Sequence, residues 1–149
     1  MEIKETTEQK TAMVRTTASL AELPGVIGVA YGEIMGVMQR QGFQMSGYPF
    51  VLYHNEDMEA LDVEIGFPVD RVVTGEGRVG PGTIPGGTVL SEVHTGPYRT
   101  LEKTYIPMMD HIKKEGLNVT DWMYELYLNS PEDTPEDDLR TEICFPLKP

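Results

Sequence analysis

The sequence has one cysteine and no excess of basic residues. Cys144 cannot form a disulfide within the chain, which fits the reducing cytoplasm, where we expect the protein to reside. Twelve Lys and Arg residues stand against 24 Asp and Glu residues, and the formal net charge is −12. Because such a chain repels a phosphate backbone, we expect no direct binding to nucleic acid.

Long apolar runs and metal-binding patterns are also missing. The most apolar segment, residues 23–38, has only about 16 residues and contains Glu33, so it predicts a core helix rather than a membrane span or a signal peptide. No Cys and His residues cluster at zinc spacing. The Gly-rich segment 74–87 lacks the Gly-Lys-Ser/Thr ending of a phosphate-binding loop. We therefore predict no metal and no cofactor.

The composition is that of an ordinary globular protein. The chain has 149 residues, of which 40% are hydrophobic and 24% are charged. This length suffices for one good core or for two small modules packed together. Nine methionines are many for this length, and Met fills irregular, adaptable space.

The two halves of the chain repeat one pattern. At an offset of 74 residues Tyr31 falls on Tyr105 and Gly42 on Gly116, and at an offset of 78 residues Glu64 falls on Glu142. Each half reads strand, helix, strand, strand. The sequence therefore predicts a single α+β domain over residues 1–149, a tandem pseudo-twofold repeat with an antiparallel sheet backed by two helices.

The predicted modules are separated by a connector. We place module one at about residues 1–73, a Gly/Pro connector at about 74–87 and module two at about 88–149. The helix of module one, residues 20–42, carries glycines 28, 32 and 36 on one face. This stripe predicts either close packing on a neighbouring element or a helix that shifts when a ligand enters.

A single carboxylate interrupts the most aromatic strand of the sequence. The stretch Trp122–Leu128 is aromatic or large and apolar at every position except Glu125. Since side chains alternate along a strand, Met123, Glu125 and Tyr127 share one face, which we predict lines a pocket, while Trp122 and Tyr124 face the core. The alternative is that Glu125 is an ordinary solvent-facing residue of this strand.

The repeat favours a functional role for this acid. Glu125 corresponds to Val51 in module one, so the shared fold does not need a carboxylate there, whereas Tyr127 corresponds to Tyr53. A carboxylate in an apolar setting is costly unless a cation or hydrogen-bond donors meet it. By the same alternation we predict that Glu142 and Cys144 lie on the lining side, with Ile143 and Phe145 in the core. The predicted ligand-binding residues are Val51, Tyr53, Met123, Glu125, Tyr127, Glu142 and Cys144.

Several motifs in succession resemble the GyrI-like small-molecule-binding family, also found as the effector-binding domain of AraC-type and MerR-type multidrug regulators. The residues that carry this resemblance are Ile84-Pro85-Gly86-Gly87, His94-Thr95-Gly96-Pro97-Tyr98, Trp122 to Tyr127, Thr141-Glu142-Ile143 and Phe145-Pro146. The resemblance implies an aromatic-lined pocket between the modules and a strand glutamate, matched by Glu125, that faces cationic aromatic ligands. The sequence departs from the family in two ways. We expect no DNA-binding domain, and Cys144 stands where a Tyr is expected.

Three functions from different classes follow. The first is a stand-alone binding protein for a hydrophobic, cationic or aromatic small molecule, oriented by Glu125, Tyr53 and Tyr127. The second, implied by stand-alone relatives of similar fold, is a hydrolase of strained electrophilic natural products with Glu125 as general base. The third is a protein–protein regulator that acts through the acidic surface. We favour binding over catalysis, because the three histidines lie in contexts typical of structural or solvated residues.

Overall fold

A computed structural model describes residues 1–149, which form two compact units. The C-terminal unit consists of Met1–Thr6 and Gly87–Pro149, and the N-terminal unit is Thr7–Gly86. In chain order the elements are strands β1 (Glu2–Thr6) and β2 (Gln9–Ala18), helix α1 (Leu23–Gln41), strands β3 (Phe50–Tyr53), β4 (Leu61–Pro68), β5 (Val79–Ile84) and β6 (Gly87–Thr95), helix α2 (Glu102–Glu115), and strands β7 (Met123–Tyr127) and β8 (Arg140–Pro146). Short 3₁₀ turns occur at Tyr98–Thr100 and Glu136–Asp138.

Each unit has four antiparallel strands and one long helix. The strand order is β3-β4-β2-β5 in the N-terminal unit and β1-β6-β8-β7 in the C-terminal unit. Apart from the edge strands β5 and β1, the elements of each unit follow the order strand, helix, strand, strand, which the sequence predicts. The α+β prediction is therefore confirmed.

The edge strands differ from the predicted organisation. The Gly/Pro-rich segment 74–87 contains strand β5, so the prediction of a connector without regular structure is wrong for Val79–Ile84. A proline is tolerated there because β5 pairs only with β2 and so lies at the edge, where an N–H is not needed on the open side. Residues 1–6, predicted to belong to module one, pair instead with β6 of the C-terminal unit.

Both helices end where the sequence predicts, at a glycine. Gly42 follows α1 in the left-handed conformation, with φ at 76°, and its N–H donates to the Met38 carbonyl. Gly116 follows α2 with φ at 64°. A left-handed residue at this position satisfies carbonyls that the last helical turn leaves without partners, and glycine adopts it without steric cost.

The glycine stripe of α1 does not support close packing. A Cβ atom added at Gly28 or Gly32 would meet nothing within 4 Å, and one at Gly36 would meet only the end of the Arg40 side chain. The predicted close approach to a neighbouring element is therefore wrong. The alternative, a helix that shifts on ligand entry, stays a prediction.

The core of the C-terminal unit lies between α2 and one face of the sheet. Met108 of α2 is fully buried against Leu90, Ile143 and Phe145, and Tyr105 and Met123 pack against this cluster. Neither helix of the protein is long and apolar enough to cross a membrane.

Candidate functional site

Strand pairing places Glu125 beneath helix α2. In the β7–β8 ladder Glu125 is opposite Ile143 and Tyr127 is opposite Thr141, and cross-strand partners project from the same face of a sheet. Since Ile143 packs against Met108 of α2, the face that carries Glu125 is the one that this helix covers. The Glu125 residue is only 4% exposed, so the interpretation as a solvent-facing strand residue is wrong.

Two phenols hold the Glu125 carboxylate. The Tyr105 hydroxyl, from α2, donates to Oε2, and the Tyr127 hydroxyl, two residues along β7, donates to Oε1 at 2.9 Å. The Met123 sulfur lies 3.8 Å from the Tyr105 oxygen. Hydrogen bonds to an ionised carboxylate are the means by which a protein offsets the loss of its water. The donors fix both oxygens and so fix where the negative charge lies.

Aromatic rings surround this carboxylate. The Tyr98 and Tyr127 rings meet edge to face with centroids 5.7 Å apart, and Tyr105 and Phe145 do the same at 6.0 Å. Burial raises the pKa of Tyr98 above its ordinary value, and the negative charge of Glu125 raises that pKa further. Tyr98 is 37% exposed, so the cluster extends from the buried acid to the surface of the unit.

The structure brings together three of the predicted residues and adds two that the prediction missed. Met123, Glu125 and Tyr127 lie on one face as predicted, and Tyr98 and Tyr105 join them from the start of the helical segment. Tyr98 and Tyr105 are seven residues apart, a spacing of two helical turns that repeats one helix face. That spacing could have indicated a second wall of the site.

Two further predicted residues belong to the N-terminal unit. Val51 is fully buried on β3 and pairs with Ile65 of β4, and Tyr53 is half-buried and pairs with Val63. Their proposed contact with ligand stays a prediction.

The prediction that Glu142 and Cys144 share the face of Glu125 is wrong. In the β7–β8 ladder Cys144 pairs with Tyr124 and Glu142 pairs with Leu126, so both project from the opposite face. The prediction places Tyr124 and Ile143 in one core, whereas the ladder places them on opposite faces of the sheet. Both sheet faces are buried in this region, and Ile143 lies on the face that carries Glu125.

On that opposite face Glu142 forms a separate polar cluster. Its Oε2 atom accepts hydrogen bonds from the Lys4 ammonium and the Ser91 hydroxyl, each at 2.5 Å. Burial acts to raise the pKa of Glu142, but the hydrogen bonds from Lys4 and Ser91 outweigh it and leave that pKa lowered. An open pocket of about 240 Å³ lies beside these residues. The Lys4 contact fastens β1 to β8, which lies two strands away in the sheet.

Cys144 is a buried thiol rather than a reactive one. Burial raises its pKa to about 12, and the nearby charge of Glu142 contributes in the same direction. Since the thiolate is the nucleophile, the raised pKa keeps this group unreactive at neutral pH. No group of three or more His, Cys, Asp or Glu side chains is arranged to hold a metal ion.

The raised pKa predicts a loss of stability in alkaline solution. An unfolded thiol titrates near 9.0, so the stabilisation from the neutral folded thiol is complete below pH 9 and disappears as the pH rises toward 12. From pH 8 to pH 10.5 we expect the unfolding free energy of the native protein to fall by about 2 kcal/mol more than that of Cys144→Ala. Urea denaturation at both pH values measures the difference. An equal decrease of the unfolding free energy in the native protein and in Cys144→Ala would contradict the raised pKa of Cys144.

Comparison with known proteins adds a family and several structures. The family model described as GyrI-like small molecule binding domain matches residues 1–148. No curated protein sequence matches the chain. In a cryo-electron-microscopy structure of an EcmrR–DNA complex, the similar chain is 25% identical with a TM-score of 0.89, and the match covers 99% of this chain and 56% of that one. This chain therefore spans little more than half the length of that EcmrR chain.

Two further structures match over nearly their whole length. The EcmrR C-terminal domain is 26% identical with a TM-score of 0.83, and the match covers 99% of this chain and 96% of that one. SAV2435 bound to tetraphenylphosphonium is 14% identical with a TM-score of 0.73, covering 99% of this chain and 93% of that one. At the latter identity the likeness establishes the fold alone.

Proposed function

Because the chain belongs to the GyrI-like small-molecule-binding family, we propose that it binds a hydrophobic ligand that is cationic or aromatic, with Glu125 as the group that selects for positive charge. The observation that carries this proposal is the placement of the Glu125 carboxylate, 4% exposed, among aromatic rings and under a helix. Such a setting suits a lipophilic cation, which gains both from ion pairing and from contact with ring faces.

The two phenols define what Glu125 does in this proposal. Because Tyr105 and Tyr127 each donate to one carboxylate oxygen, the acid is held as a fixed charge. A general base must instead present an oxygen to water or to the proton that it removes. The arrangement therefore supports binding rather than the hydrolase alternative, which would use Glu125 to activate a water molecule.

The aromatic residues provide a route and a contact surface for the ligand. Tyr98 is partly exposed, its ring contacts Tyr127, and the Tyr127 hydroxyl contacts Glu125. We propose that a ligand enters along Tyr98 and meets the Glu125 carboxylate while Tyr105 and Tyr127 continue to hold it. Met123, which is flexible and polarisable and lies beside the Tyr105 hydroxyl, adapts the wall to different ligand shapes.

The similar structures are consistent with this assignment. The EcmrR C-terminal domain has nearly the same extent as this chain, and SAV2435 has a structure with bound tetraphenylphosphonium, a hydrophobic cation. Tetraphenylphosphonium has no N–H or O–H group, so it does not compete with the two phenols as a hydrogen-bond donor. It is therefore a suitable first probe for this protein.

Isothermal titration of the native protein with three compounds tests the proposal. We expect tetraphenylphosphonium to bind with micromolar affinity, and neutral triphenylphosphine oxide and anionic tetraphenylborate to bind at least tenfold more weakly. Since the three share phenyl groups and differ in charge, the ranking reports the sign of the charge that the site prefers. Absence of binding, or equal affinity for all three, would overturn the proposal.

A further inference from the structure

His94 joins strand β6 to the segment that carries two tyrosines of the site. The residue is 5% exposed and lies near the end of β6. Its Nδ1 atom is 2.7 Å from the Thr104 hydroxyl of α2, and its Nε2 atom is 3.1 Å from the Thr100 hydroxyl and 3.3 Å from the Pro97 carbonyl. One imidazole therefore contacts both the 3₁₀ turn and the first turn of the helix.

The His94 imidazole has a different hydrogen-bonding role in each of its two contacts. The Thr100 hydroxyl donates to the Pro97 carbonyl at 2.8 Å, so its oxygen is left to accept a hydrogen from Nε2–H of His94. In this tautomer Nδ1 carries no hydrogen and accepts from the Thr104 hydroxyl. His94 thus donates a hydrogen bond to the turn through Nε2 and accepts one from the helix through Nδ1.

The two elements that His94 holds carry residues that reach Glu125. Tyr98 begins the 3₁₀ turn, and its ring contacts Tyr127. Tyr105 follows Thr104 directly in α2, and its hydroxyl donates to Glu125. Because successive side chains on a helix are about 100° apart, fixing the direction of Thr104 also fixes the direction of Tyr105.

We propose that His94 is a positioning residue for the Glu125 site: through Thr104 it sets the rotation of α2 that directs Tyr105 to the carboxylate. It makes no contact with ligand in this role. The binding consequence rests on the proposed function, whereas the effect on Tyr105 concerns the protein alone and is measurable without a ligand.

Two substitutions at one position separate the contacts. In His94→Asn the amide group lies near the former Nδ1 and its oxygen accepts from Thr104, whereas in His94→Gln the amide lies near the former Nε2 and its nitrogen donates to Thr100. Thr104→Val removes the helix contact from the other side without altering the imidazole. Thr100→Val is the matched control, because it leaves the Thr104 contact intact and removes only the hydrogen bonds of Thr100 with His94 and Pro97.

Fluorine NMR of protein containing 3-fluorotyrosine reports the position of Tyr105, whose resonance is assigned by its loss in Tyr105→Phe. We expect this resonance to shift or broaden in His94→Gln and Thr104→Val, and to stay near its native position in His94→Asn and Thr100→Val. An unmoved Tyr105 resonance in folded Thr104→Val would overturn the proposal, as would equal shifts in His94→Asn and His94→Gln. Thr104→Val serves as the deciding variant if His94→Gln does not fold.

Titration with tetraphenylphosphonium then measures the effect on the site. We expect His94→Gln and Thr104→Val to weaken binding about fivefold, since the carboxylate loses a donor that holds it in place. In a Tyr105→Phe background Thr104→Val should have no additional effect, and a further fivefold loss there would contradict the assigned route. If the native protein binds no tetraphenylphosphonium, the proposed function fails while the fluorine spectra still test His94.

Discussion

Glu125→Gln is expected to weaken tetraphenylphosphonium binding about thirtyfold and to leave the affinity for triphenylphosphine oxide within about twofold. Removing one unit charge a few ångströms from a bound cation in a partly buried site costs about 2 kcal/mol after partial compensation by desolvation, which corresponds to roughly a factor of thirty. Glutamine keeps the shape of the side chain and one acceptor oxygen, and either phenol can rotate to accept from its amide nitrogen. Isothermal titration of both compounds measures the change.

Glu142→Gln is the matched control for this prediction. Glu142 is 8% exposed, close to the value for Glu125, and belongs to the same unit, but it lies on the other face of the sheet. We expect this variant to lose some stability, because Lys4 then faces a neutral amide, and to bind the cation with native affinity. If both variants lose cation affinity equally, the effect is that of net charge rather than of a site. If Glu125→Gln weakens the neutral compound as much as the cation, Glu125 does not select for charge.

Gly66→Ala is expected to produce the largest loss of stability among single methyl additions in this protein. A Cβ atom at Gly66 would lie 2.1 Å from the Ala12 carbonyl oxygen and 2.9 Å from the Met13 Cα atom. Both atoms belong to the backbone of β2, which is paired on both sides and cannot withdraw. We expect the unfolding free energy to fall by about 3 kcal/mol or more, which lowers the melting temperature by roughly 6–12 °C.

Gly80→Ala is the control for that measurement. Gly80 pairs with the same residue, Met13, from the other neighbouring strand, but a Cβ atom there would meet nothing within 4 Å. Thermal unfolding followed by circular dichroism should give a native or slightly raised melting temperature for this variant, because alanine restricts the unfolded chain more than glycine does. If the melting temperature of Gly66→Ala is as high as that of Gly80→Ala, movement of β2 relieves the close approach at Gly66 and the prediction is wrong.

The burial of Glu125 could be predicted because two independent patterns agreed on it. The aromatic run of β7 indicated a strand between packed layers, and the comparison of Glu125 with Val51 showed that the shared fold does not require an acid there. The alternation rule also placed Met123 and Tyr127 on the correct side. These inferences need only the local geometry of one strand.

Relationships between elements could not be predicted in the same way. The alternation rule identifies which residues of one strand share a face. It does not identify which residues of the neighbouring strand project from the same side of the sheet, and the prediction for Glu142 is wrong for this reason. Similarly, the seven-residue spacing of Tyr98 and Tyr105 indicates a shared helix face but does not show that the Tyr105 hydroxyl reaches a carboxylate. In β5, edge pairing overrides the local preference of Gly and Pro for loops.

The position of β1 has a consequence for how the protein is made. Strand β1 pairs with β6, and its Lys4 contacts Glu142, 138 residues later in the chain. During synthesis β1 therefore has no strand partner until β6 has emerged from the ribosome, whereas β2, β4 and β5 pair with one another within residues 7–86. Closure of such distant contacts is slow, so we expect the unit that holds Glu125 to acquire its structure after the unit of residues 7–86.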